Sequence, residues 1–461
     1  MPARRLSSER LQALVAADSR HHLHPFTAHR ELRAAGPRVI TGAEGVHLID
    51  AEGKRILDGM AGLWCVQVGY GQESLAEAGY KALKELPYYN VFFQCTHPYV
   101  AELSESLSDV MPHDLRHFFF ANSGSEANDS AVKLIRYYWN LMGRPEKKQI
   151  IARDWAYHGV TLAAASLSGL PHMHPQFDLP LAGFHHVGPP PYRYGFGGDM
   201  SEAEFADLCI ANLEAKILEI GPERVAAFIG EPAMGAGGMM TPPDGYWPRV
   251  EALCRKYDIL LWADEVICGF GRTGEWFGCE TYGFRPDIVT MAKGMSSGYQ
   301  PISAVALGER VGAVIAASEQ EMAHGFTWSG HPVASAVSTA NLALMHKLEL
   351  VGDEARARAA QFQEAIATLA DHPLVGEVRG IGFLGAIELV ADKTTRRRHE
   401  PLGRAGGLCR DACIRNGLVM RAVRDTMVLS PPLVISADEI GELVEKARRA
   451  LDDTMKDLGV K

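Results

Sequence analysis

Several short segments carry side chains suited to work on a flat, anionic heterocycle. Ser123-Gly124-Ser125-Glu126-Ala127-Asn128 lies between an apolar run and an amphipathic one. A helix starting there would meet an anion with its first-turn amides, Gly124 would permit close backbone approach, and Ser125 would add a hydroxyl. Taken alone, the segment is better explained as an ordinary Ser N-cap. Asp264 follows the apolar run Ile259–Ala263, at the carboxyl end of a strand, where open α/β sheets bind ligands. A protonated pyridine nitrogen would partner such a carboxylate; capping of the next turn explains it equally well. Lys293 closes the run Asp287–Ala292, a place hard to reconcile with a solvated side chain. Partial desolvation would lower its pKa toward that of a nucleophilic amine. Tyr157 in Tyr157-His158-Gly159 could stack on a flat ring, although aromatic residues usually just pack. Thr327 offers another hydroxyl in the Gly-flanked stretch Gly325–His331, which also reads as a plain connecting loop.

The elements that must position these groups are legible in the hydrophobic period. His117–Ala121, Gln149–Ala152, Val225–Gly230, Ile259–Ala263, Ile288–Ala292 and Ile302–Leu307 read as strands, with amphipathic stretches such as Glu126–Met142 and Tyr246–Tyr257 between several of them. That alternation predicts an α/β fold with a mostly parallel sheet covered by helices. Beyond Gly330 come helical stretches over Pro332–Leu350 and Asp353–Ala370, a strand over Gly380–Leu389, and a smaller α+β unit. The N-terminal hairpin signals, Val46–Asp50 and Ile56–Asp58, lack a full core and are expected to pack on the C-terminal unit. The expected division is 1–70, an N-terminal segment packing with the small domain; 71–330, a large ligand-binding domain; and 331–461, the C-terminal small domain.

The 461 residues allow a large core, and 47% hydrophobic content excludes a disordered chain. A net charge of −10 without long single-sign blocks argues against nucleic acid or an anionic membrane as partner. Eight scattered cysteines without CxxC spacing, no apolar signal-like stretch after Met1-Pro2-Ala3-Arg4-Arg5, and no run long enough to span a bilayer make a cytoplasmic protein the expectation.

In their order and spacing these segments resemble the class III pyridoxal-phosphate aminotransferases of fold-type I, over nearly the whole chain. The resemblance implies pyridoxal 5'-phosphate as cofactor, Schiff-base Lys293, and Asp264 as pyridinium partner with Val266 on the opposite ring face. It implies ring stacking by Tyr157 and further cofactor contacts from Ser123, Gly124, Ser125, His158 and Glu231. Thr327 would reach the phosphate of a neighbouring subunit, so a homodimer with interfacial sites is implied; pairing of dimers into tetramers stays open. Gly62–Val66, Leu86–Asn90, Lys293–Tyr299 and Met420–Val423 are most similar to the amine:pyruvate branch, whose members include putrescine:pyruvate aminotransferases and ω-transaminases. That similarity marks Phe26, Trp64, Phe92, Tyr157 and Ala236 as pocket lining and Arg421 as carboxylate binder, with an amine donor and pyruvate as substrates. An ω-amino acid (β-alanine or 4-aminobutyrate):pyruvate aminotransferase is the alternative. An aminomutase, racemase or decarboxylase on this scaffold, and a non-enzymatic binding protein, are further rivals.

Three positions depart from the branch pattern: Gln67 stands for Asn, Trp262 for a small aliphatic residue, and Arg424 for Gly. Arg424 is expected to place a second cation near the pocket mouth. His21, His22 and His24 cluster and His172 and His174 are paired, but no carboxylate or cysteine spacing completes a site, so no metal is expected.

Overall fold

The computed structural model describes residues 6–460. Met1–Arg5 lie outside the described residues. Ile40–Glu44 (β1), His47–Asp50 (β2) and Arg55–Asp58 (β3) form an antiparallel meander. The central sheet comprises His117–Ala121 (β4), Gln149–Arg153 (β5), Phe184–Val187 (β6), Val225–Gly230 (β7), Leu260–Asp264 (β8), Ile288–Met291 (β9) and Ser303–Leu307 (β10). Its order is β4-β10-β9-β8-β7-β5-β6. Only β10 runs against its neighbours, pairing antiparallel with β4 and β9. Strands β7 to β10 are buried at every position, which is why they read as continuous apolar runs rather than alternating ones.

Val375–Ile381 (β11), Leu384–Leu389 (β12), Leu418–Val419 (β13), Arg421–Val423 (β14) and Thr426–Leu429 (β15) follow. One sheet has the order β11-β12-β15-β14, while β13 leaves it to pair in parallel with β3. Strands β1 to β3 thus share a sheet with Leu418–Val419.

The six strands expected in the central sheet fall within one residue of their positions. Edge strand β6 is missed, since Phe184-His185-His186-Val187 carries neither an apolar run nor a clean alternation. The single strand expected over Gly380–Leu389 is instead a hairpin. Gly382 turns the chain at φ +58°, and a Cβ there would lie 2.2 Å from the Arg272 carbonyl oxygen. Trp262 is accommodated in the core, its indole N–H donating to Thr290 Oγ1 at 3.1 Å. Among the described residues the cysteines form no disulfide, and no helix is long and apolar enough to cross a membrane.

Candidate active site

Strands β4, β5, β7, β8 and β9 release their chains along one edge of the sheet, and the loops there close around a cavity. Gly124, Ser125, Tyr157, His158, Glu231, Asp264, Val266 and Lys293, eight of the residues singled out from sequence, line it together. Asn128, Gly159, Ile267 and Ala292 complete the lining without having been assigned a role. Asn128 had a readable signal: a buried polar residue on the helix face that also carries buried Ala131 and Ile135.

The helix Gly124–Leu141 begins directly after β4. Ser123 caps it, its hydroxyl accepting from Glu126 N at 3.2 Å, and does not line the cavity. The amides of Gly124 and Ser125 belong to the first turn and have no intrahelical acceptor, so an anion can take them. Ser125 Oγ accepts from Val160 N at 3.0 Å, which leaves its hydrogen to donate. Gly159 makes this cradle possible: its φ is +130°, and a Cβ would fall 2.5 Å from Ser125 Oγ. Gly159→Ala is therefore expected to lower stability by about 1 kcal/mol or more and to displace Ser125. Thermal melting and cofactor retention on dialysis would check this; a variant unchanged in both would refute it.

At the end of β8 the Asp264 carboxylate is 4% exposed. Its Oδ2 accepts from His158 Nδ1 at 2.7 Å and from Asn128 Nδ2 at 2.9 Å, and its Oδ1 from Val266 N at 3.1 Å. Asn128 Nδ2 also donates to the His158 carbonyl, so one amide ties the carboxylate and the imidazole to the helix. Glu231, just past β7, accepts from Tyr157 N at 3.1 Å and Gly235 N at 2.9 Å. Burial raises its pKa.

Lys293 opens a tight turn after β9 at φ +44°, a left-handed backbone that costs a non-glycine residue roughly 1–3 kcal/mol. The turn is clamped from outside: Asn341 Nδ2, on the helix Pro332–Lys347, donates to the carbonyls of Gly294 at 2.9 Å and Met295 at 3.2 Å. Gln67 packs beneath it, so close that a Cβ on Gly294 would meet the Gln67 amide at 2.2 Å. Desolvation lowers the Lys293 pKa, opposed by the charges of Asp264, Cys65 and Glu231. The amine is thus biased toward its neutral, nucleophilic form.

Trp64, 1% exposed, stands under both the Lys293 amine and the Arg421 guanidinium. Lys293 Nζ lies 5.5 Å and Arg421 Cζ 4.8 Å from its ring centroid. Arg421 begins β14, is half-buried, and has no ion-pair partner among the described residues. Burial lowers its pKa, with Tyr157 opposing. Arg424, expected near the pocket mouth, has partners of its own: its guanidinium stacks 3.9 Å from the Trp155 ring centroid and donates to the Gly237 carbonyl.

Neither Trp64 nor Arg421 is among the residues that line this cavity, nor are the remaining residues singled out from sequence. Ala236 is buried in the loop after Glu231, Phe92 packs over Gly325, and Phe26 and Thr327 are exposed.

The donor set matches one cofactor chemistry part by part: helix amides and a hydroxyl for a phosphate, an aromatic and a branched side chain for ring faces, a buried carboxylate for a protonated ring nitrogen, and a desolvated amine for an aldehyde. Comparison with known proteins agrees. The family description "Aminotransferase class-III" matches residues 29–451. The chain belongs to the class III aminotransferases. Its cofactor is pyridoxal phosphate, and it is an α/β fold-type I enzyme. It is 51% identical over 434 residues to a putrescine–pyruvate aminotransferase of Pseudomonas aeruginosa, covering 94% of each chain. It is 43% identical to a chloroplastic gamma aminobutyrate transaminase of Solanum lycopersicum, over 94% of this chain and 84% of that one. Among solved structures, the ω-transaminase of Pseudomonas jessenii in complex with PMP superposes with a TM-score of 0.95 at 44% identity, covering 97% of this chain and 99% of that one.

Proposed function

We propose that this aminotransferase moves the amino group of a primary amine, a putrescine-like diamine or another ω-amine, to pyruvate, giving an aldehyde or ketone and alanine. The observation that carries this reading is Arg421, a half-buried guanidinium beside Trp64 with no carboxylate among the described residues to neutralise it. Its planar fork suits the carboxylate of a small keto acid. The relative at 51% identity, described as a putrescine–pyruvate aminotransferase, supports the same pair of substrates.

Bound pyridoxal phosphate supplies an aldehyde carbon that condenses with amines and a protonated ring that withdraws electrons from the substrate carbon. The protein's residues do the rest. Gly124 and Ser125 would hold the phosphate at the helix N-terminus, while Tyr157 and Val266 would confine the ring. Asp264 would keep the proton on the ring nitrogen, and His158 and Asn128 hold Asp264 in place. Lys293 would anchor the cofactor through its amine, which, once freed, is placed to act as the general acid–base that moves the proton of the substrate carbon. Arg421 pairs with the pyruvate carboxylate and must turn away when a donor amine without a carboxylate occupies the same space.

Arg421→Ala tests the reading. Loss of a bidentate, charge-assisted pair worth about 3 kcal/mol should slow the pyruvate half-reaction roughly 100-fold and leave the amine half-reaction within a few-fold. Equal losses in both half-reactions would sink it. The same guanidinium favours a second reading, in which an ω-amino acid such as β-alanine or 4-aminobutyrate is the donor; the relative at 43% identity points that way. Alanine formed from pyruvate with putrescine, cadaverine, β-alanine, 4-aminobutyrate and 1-phenylethylamine separates the two.

A homodimer with interfacial sites belongs to the same proposal. Thr327 lies outside its own chain's cavity, and the exposed aromatics Tyr88, Tyr89, Phe93 and Trp328 gather near it in sequence or by contact, Tyr88 donating to the Thr327 carbonyl. A second copy would cover them. Light scattering should give twice the chain mass; a monomer with full activity would overturn it.

A further inference from the structure

The helix Ser8–His21 buries none of its residues, yet its last turn and the segment after it converge three metal-ligating side chains. His22 Nδ1 lies 3.0 Å from Asp18 Oδ1, and His24 Nε2 lies 2.8 Å from Asp18 Oδ2. The two imidazole centroids are 4.1 Å apart, and the three ligand atoms all lie within 4.8 Å of one another. Asp18 is the carboxylate missing from the histidine cluster as read in sequence; one helical turn brings it beside His22. Hydrogen bonds from His24 and then His22 hold its pKa below the ordinary carboxylate value.

From this juxtaposition we propose that Asp18, His22 and His24 bind a divalent transition ion of the zinc class. Two imidazole nitrogens and one carboxylate are a ligand set that Zn2+ takes at about 2.0–2.2 Å, leaving a fourth position for water. Side-chain exposures of 57%, 26% and 24% for His22, Asp18 and His24 leave the group open to solvent on one side, so an ion has both an entry path and a water. Around a tetrahedral ion neighbouring ligand atoms stand about 3.3–3.6 Å apart, so the two hydrogen-bonded pairs must part by a few tenths of an ångström and the other separations, all within 4.8 Å, must settle to the same spacing. A second feature of the same cleft agrees. His29 lines it from the start of the next helix, and its Nε2 is buried with no hydrogen-bond partner.

The ion's effect would be local. It would pin the end of one helix to the turn leading into His29–Ala35, a turn that carries Phe26 at φ +48° and that otherwise rests on few contacts. This site is separate from the Lys293 cavity and does not depend on which amine is the donor.

The test uses the untagged holoenzyme, stripped of metal with a chelator and freed of excess cofactor, titrated with Zn2+ by calorimetry and followed by hydrogen exchange. One Zn2+ per chain should bind with micromolar or better affinity. Asp18→Asn and His24→Gln should each weaken it at least 10-fold, and Zn2+ should slow exchange across residues 8–35 in the parent but not in the double variant. Transamination should be unchanged in the metal-free variants. Retention of the same stoichiometry and affinity in the double variant, absence of binding at 100-fold excess over the chain, or binding without protection of residues 8–35 would each overturn the proposal.

Discussion

Lys293→Ala is expected to lower the rate of amino transfer by about 10⁴-fold or more. Removing a positioned general acid–base group alone costs roughly 10²–10⁴-fold, and in the proposed mechanism the same amine would also anchor the cofactor. The structure makes the position demanding to replace. The backbone is left-handed at Lys293, Asn341 clamps the turn, and the amine stands over Trp64 in a desolvated setting. Single-turnover absorbance with saturating cofactor would measure the loss, and small exogenous amines should restore part of the proton transfer. A variant within tenfold of the parent would remove Lys293 from the chemistry.

Asp264→Asn should slow both half-reactions by about 10²- to 10³-fold, the range expected when one member of a buried ion pair is neutralised. The amide nearly preserves shape but cannot serve every donor now facing the carboxylate. His158 Nδ1 and Asn128 Nδ2 converge on one oxygen, and Val266 N reaches the other. An amide oxygen turned to the first pair would set its NH2 group against the Val266 N–H, leaving a buried donor unsatisfied. A lower melting temperature should therefore accompany the rate loss. A slowed pyruvate half-reaction with a normal amine half-reaction would contradict the role given to Asp264, and would resemble Arg421→Ala instead.

Much of the fold was legible because the central strands are buried on both faces and so appear in sequence as short apolar runs. Asp264 and Lys293 were legible for the complementary reason: each is a charged residue ending such a run, where the sheet delivers its chain to the ligand edge. Asn128 escaped assignment because a polar residue inside a helix shows its partners only once Asp264 and His158 have been brought to it from two other strands. The partners of Arg424 were not legible because a sequence shows that a cation follows Arg421 but not which way a left-handed backbone turns it; φ is +55° there, and the side chain meets Trp155. The hairpin at Gly382 was read as one strand because turn residues inside an apolar stretch look like close packing until the Arg272 carbonyl is seen to occupy the space. Glu231, by contrast, has no local signal, and only family resemblance marks it.

Trp64 sits beneath both the Lys293 amine and the guanidinium of Arg421, the group proposed to bind the acceptor's carboxylate. Variation at this one indole would therefore not be free to tune one substrate alone. A smaller residue that admits bulkier amines also withdraws the surface on which Arg421 rests, so breadth toward donors and grip on the acceptor would be inherited as linked traits. A lineage, or an engineer, that widens one would have to rebuild the other from a second position.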